Sequence, residues 1–159
     1  MKISKSALIL ACLGVVGLSG TVIAAPRGWT TDYDEALKKA VAEKKIMLLN
    51  FMGDMKKNKE MEKLHHELLL NDAFYEYAEA HGIILVDIVV DAAASKPKLF
   101  KFTEKIPKQY NVTGYPVILF ATPEAKELGR TGYIEGGPDA FFKLFDQWRG
   151  KFAAEQPRE

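Results

Sequence analysis

Cysteine is almost absent from this 159-residue chain: the single one, Cys12, lies in an N-terminal stretch that reads as a removable signal. From residue 25 onward there is none, so that part can form no disulfide and supply no thiolate nucleophile. Excess charge is lacking too. The 22 basic residues include Lys2 and Lys5 of the N-terminal stretch, so the remainder is almost balanced against its 21 acids. Such a balance gives no global reason to expect nucleic acid or an anionic membrane as a partner. No apolar run reaches the ~20 residues a membrane-spanning helix needs. Internal repeats and low-complexity linkers are missing as well.

The first residues carry a targeting pattern. Lys2 and Lys5 precede the apolar stretch Ala7 to Leu18, and Val22-Ile23-Ala24 is a small-residue cleavage site. Cleavage after Ala24 is expected, because a cut after Ala25 would leave Pro26 first, which signal peptidases tolerate poorly. Residues 1–24 then form a signal peptide, and 25–159 a single domain with a core over 29–150 and a polar C-terminal tail. The expected location is periplasmic or secreted, with no membrane attachment after cleavage.

Asp32 with Glu35 resembles a capping box ahead of a helix carrying Ala36, Leu37, Ala40 and Val41. Ile46 to Phe51 reads as a buried central strand. Met61, Leu64, Leu68 and Leu69 recur on one helix face, and Asn71-Asp72 caps a second helix that Gly82 ends. Ile83 to Val90 is a strand, and Asp91 to Pro107 a loop followed by one weak helix. Pro116 to Ala121 and Gly129 to Glu135 form a hairpin. Pro138 opens a last helix bearing Phe141, Phe142, Leu144, Phe145 and Trp148, which Gly150 ends. An early βαβ unit, a later hairpin and a closing helix predict an α/β fold, its mixed central sheet covered by helices on both faces.

Three segments carry a resemblance: Lys44 to Phe51, Tyr110-x-Val112-x-Gly114-x-Pro116, and Glu127-Leu128-Gly129-Arg130 leading to Gly132-Tyr133. In this order and spacing the chain resembles the thioredoxin superfamily, in particular exported bacterial thioredoxin-like domains, over about Trp29 to Trp148. The resemblance implies a thioredoxin-like fold and a cis peptide before Pro116, which presents the backbone of Tyr115 for pairing with an extended partner. It also implies a Cys-x-x-Cys after the strand. Here the chain reads Gly53-Asp54-Met55-Lys56-Lys57-Asn58-Lys59-Glu60-Met61, so the pair falls on Lys57 and Glu60 in one alignment and on Asn58 and Met61 in the other. None of these can be a thiolate. Asn50 stands where classical thioredoxins bury an aspartate, and an amide cannot titrate.

What remains is a helix N-terminus with free N–H groups, flanked by lysines and facing the Gly114-Tyr115-Pro116 loop. The expectation is a redox-inactive module without a cofactor, not acting as an enzyme on its own. It would bind an extracytoplasmic protein or extended peptide through Asp54, Met55, Lys56, Lys57, Asn58, Gly114, Tyr115 and Pro116. Two alternatives accompany it. Met52, Met55, Met61, His65 and His66 are close in sequence, and thioether plus imidazole suits Cu(I), so a copper or small-ligand carrier using Met61 and His65 is one. An accessory subunit of a thiol–disulfide exchange complex, with the cysteines on a partner, is the other. Packing explains Met61 and His65 without a metal, since they share a stripe with Leu64 and Leu68. Asp87 and Asp91, four apart on a strand, would be roughly 13 Å apart, too far for paired-carboxylate catalysis, and read as strand-end acids.

Overall fold

The computed structural model describes residues 27–53, 55–89 and 105–156. The expected signal peptide, Asp54, Asp91 and the loop after it therefore lie outside the described residues. Five strands form one sheet: β1 (Trp29–Thr30), β2 (Met47–Met52), β3 (Ile84–Val89), β4 (Val117–Ala121) and β5 (Glu127–Thr131). Their spatial order is β1-β3-β2-β4-β5. β1 and β2 run parallel to β3, whereas β4 is antiparallel to both β2 and β5. The sheet is mixed, as its sequence pattern predicts.

Alternation along the strands feeds two cores, because successive side chains leave opposite faces. Met47, Leu49 and Phe51 of β2 join Val86, Ile88 and Leu119 under α1 (Tyr33–Glu43) and a short helix α4 at 105–109. On the other face Leu48, Leu85, Ile118 and Phe120 pack against α2 (Lys59–Leu64), α3 (Asp72–Ala80) and α5 (Gly137–Glu155). Asn50 and Asp87 belong by alternation to this second face, and their strands set them directly side by side.

Asp32 caps α1 by accepting from Glu35 N–H at 2.9 Å. The other half of a capping box is missing, since the N–H of Asp32 donates instead to Thr30 Oγ1. Asn71 caps α3 through Ala73 N–H. Four features depart from the sequence reading. Trp29–Thr30 forms a short edge strand, held by pairing with Leu85 and Val86 that no local pattern signals. The returning strand is Glu127–Thr131 rather than 129–135, and Tyr133 has left the sheet to donate from its hydroxyl to Glu67 Oε2 at 2.7 Å. The closing helix runs through Gly150 to Glu155, with Phe152 packed on the core. An interior glycine costs a helix only about 1 kcal/mol relative to alanine, less than that packing returns. Finally, α2 passes into a π-helical turn at His65–Leu69, closed by Leu70 N–H on the carbonyl of His65 at 2.9 Å.

Gly129 marks where the hairpin meets α5. A Cβ there would lie 2.2 Å from Trp148 Nε1, so only glycine lets the indole close over the strand.

Candidate functional site

Asn58 starts α2 and joins it to a loop far away in sequence. A 3₁₀ turn at Met55–Lys57 delivers it in extended conformation. Its Oδ1 accepts from the N–H groups of Glu60 at 2.9 Å and Met61 at 3.3 Å, satisfying donors that the helix start leaves open. Its Nδ2 donates to the carbonyl of Tyr115 at 3.0 Å, and the Tyr115–Pro116 peptide is cis. The same few ångströms hold Gly53 and Met61. Gly53 N–H donates to Met61 Sδ at 3.2 Å, and a Cβ on Gly53 would stand 3.4 Å from the Tyr115 ring.

The residues expected to form one groove border two neighbouring places, with Asn58 at both. Asn58, of one of the two candidate pairs, bonds to the Gly114–Pro116 loop; its pair-mate Met61 is buried, Pro116 is buried, and Gly114 is exposed with open space where a Cβ would project. Glu60 of the other pair is exposed, and the side chain of Lys57 lies outside the described residues. Met55, Lys56 and Asn58 instead border a broad hollow of about 690 Å³ shared with Lys59, Glu62, His65 and His66. Tyr115 and Pro116 do not line it.

Next to this hollow, and sharing Met55 and His65 with it, lies a second, narrower cavity of about 230 Å³ whose polar residues include Asn50 and Asp87. Asn50 is 4 % exposed, and its Nδ2 donates to Asp87 Oδ1 at 2.9 Å. Its Oδ1 is buried with no hydrogen-bond partner among the described residues, an arrangement that costs about 1–3 kcal/mol when left unmet. Burial raises the Asp87 carboxyl above its ordinary range, opposed by the Asn50 bond and by His65. Burial likewise lowers His65, with His66 pushing the same way and Asp87 against. Asp87 is therefore no strand-end acid. It faces inward at mid-strand, and its strand neighbours Val86 and Ile88, pointing the other way, disguise that in the sequence.

Of the methionine–histidine cluster, Met52, Met55 and His65 line this cavity. Met61 packs away from it with its sulfur engaged, and His66 is exposed against the His65 ring. Met61 does not line the cavity that His65 borders. Among the described residues no three His, Cys, Asp or Glu side chains gather as a metal-binding group.

The model of the thioredoxin-like domain family matches residues 33–149. The chain belongs to that family. Cys12 lies outside the matched span, so this thioredoxin-like domain contains no thiol at all. Among solved structures, a DsbH oxidoreductase superposes with a TM-score of 0.69 at 23 % identity, covering 91 % of this chain and 94 % of that one. A thioredoxin from Thermus thermophilus follows at 0.60 and 22 %, covering 79 % and 89 %. A putative disulphide-isomerase from Bacteroides thetaiotaomicron gives 0.50 at 19 %, covering 82 % and 93 %. At such identities the likeness is one of fold. No curated protein matches the chain. Thiol–disulfide exchange, which needs a thiolate and a resolving thiol, has no residue in the matched span to carry it.

Proposed function

We propose that this thioredoxin-like protein is a redox-inactive binding module of the cell envelope, which captures an extended segment of an extracytoplasmic protein at the Tyr115–Pro116 loop. The observation that carries the reading is the bond from Asn58 to the Tyr115 carbonyl. In a domain without a thiol, a side chain at the helix start still holds the loop against α2, with Gly114 open beside it. An extended chain could add along residues 114–115 by strand pairing, with Met55 offering an apolar contact at the turn. The envelope location rests on the N-terminal pattern of Lys2, Lys5, the apolar stretch and Val22-Ile23-Ala24.

A photo-crosslinking residue placed at position 115 in the native envelope tests this, with position 126 on the β4–β5 turn as control. A discrete adduct from 115 and none from 126 is expected, and mass spectrometry names the partner. A folded, exported protein that gives no adduct at 115 would overturn the proposal.

A further inference from the structure

The cavity floored by Asn50 and Asp87 has a composition of its own. At its base stands the carboxylate of Asp87, which forms no ion pair with any cation among the described residues, beside the amide of Asn50, whose Nδ2 donates to it. The walls are the rings of Trp29 and Tyr75 with Met52 and Leu69. Met55 and Leu70 stand at the mouth, 43 % and 52 % exposed, two of the three large apolar side chains that the described surface exposes. The π-helical turn is what assembles this wall. An α-helix places residues i and i+4 on one face, whereas the wider turn closing on Leu70 lets His65, Leu69 and Leu70 all reach the same space.

We infer that this cavity is a binding site for a primary ammonium group carried on a short apolar body. An ammonium has donors and no acceptor, so it suits the Asp87 carboxylate and offsets its charge. A carboxylate or phosphate would meet the like charge of Asp87 there. The volume, about 230 Å³, takes roughly seven or eight groups of water size at about 30 Å³ each, far more than a bare ion fills. Aromatic and thioether walls suit both an alkyl stem and the cation beside it. The cavity adjoins the proline loop through Gly53 and Met55, but neither Tyr115 nor Asn58 lines it, and the inference stands whether or not that loop captures a partner.

The test is a titration of the isotope-labelled exported protein, followed by the side-chain amide signal of Asn50 and the indole signal of Trp29. The probes are hexylamine, hexanol and hexanoate, with Nα-acetyl-lysine methylamide as a peptide-like source of the same head group. Saturable shifts are expected for an amine with a dissociation constant in about the millimolar range, weaker binding for the alcohol and none for the carboxylate. Preference for hexylamine assigns the cavity to free amines, and preference for the lysine derivative to a lysyl side chain; either supports the inference. Asp87→Asn should weaken amine binding at least about tenfold, as loss of a charged hydrogen-bond partner does. Leu70→Lys, at an exposed position that spares the fold, should weaken it several-fold by placing a like charge at the mouth. Equal binding of amine and alcohol, or no saturable shift with either amine, overturns the inference even if Asp87→Asn does not fold.

Discussion

Asn58 reaches the carbonyl of Tyr115 at 3.0 Å while its own oxygen caps the helix that it begins. One amide thus serves two ends of the site, and the two roles are separable. Asn58→Ala removes both and should cost about 1–3 kcal/mol, the sum of a cap and a hydrogen bond. Asn58→Asp keeps an acceptor for Glu60 and Met61 but loses the donor to Tyr115, so it should fall between alanine and the native protein. Urea denaturation measures both. If Asn58→Asp matches the native stability, the link to Tyr115 contributes nothing.

Residues 58 and 61 are three apart at the start of one helix, with Met61 facing the Gly53–Tyr115 seam. The double variant Asn58→Cys, Met61→Cys should therefore oxidise to an intramolecular disulfide, and its reduced form should acquire an exposed, low-pKa thiol at position 58, where the helix N-terminus favours the thiolate. Thiol titration of the air-oxidised variant should detect no free thiol. Two persistent free thiols would show that the helix start is not shaped for the pair.

Tyr33 and Tyr110 share a buried hydroxyl–hydroxyl bond of 2.8 Å, and Gln109 Nε2 also donates to Tyr33 at 3.2 Å. The partners are therefore unequal. Tyr110→Phe leaves Tyr33 with Gln109, whereas Tyr33→Phe leaves the hydroxyl of Tyr110 buried and alone. We expect Tyr33→Phe to cost about 1–2 kcal/mol and Tyr110→Phe less, with the double variant costing less than the sum. Equal single-variant costs in thermal unfolding would contradict this asymmetry.

Burial lifts the carboxyl of Asp87 above its usual value of 3.8. A group whose pKa is higher in the folded state contributes stability that is present below the unfolded pKa and lost as pH rises through the folded one. Relative to Asp87→Asn, the native protein should therefore gain stability as pH is lowered from 7 to about 4. Denaturation curves at the two pH values decide it. A native protein that loses ground to the variant on acidification would mean the carboxylate is stabilised, not penalised, by its surroundings.

Local pattern made much of the fold legible. The apolar runs at 46–51 and 83–90, the stripe from Met61 to Leu69 and the caps Asp32 and Asn71 all carry their signal within a few residues. The Tyr110-to-Pro116 segment and the strand before Gly53 carried the family. Boundaries were less legible where distant packing decides them. Phe152 extends α5 beyond Gly150, Glu67 draws Tyr133 out of the hairpin, and pairing with β3 alone makes Trp29–Thr30 a strand.

The sequence by itself determined that residues 25–159 can perform no thiol chemistry, because that depends only on which atoms the chain contains. It determined the layered α/β architecture too, because periodicity and capping act between near neighbours. Only the tertiary structure decided that Asn58 bonds to the proline loop, that Asp87 turns inward beside Asn50, and that a π-helical turn opens a cavity above them. Those relations join residues up to 57 positions apart, and sheet register and helix packing, rather than spacing along the chain, set their distances.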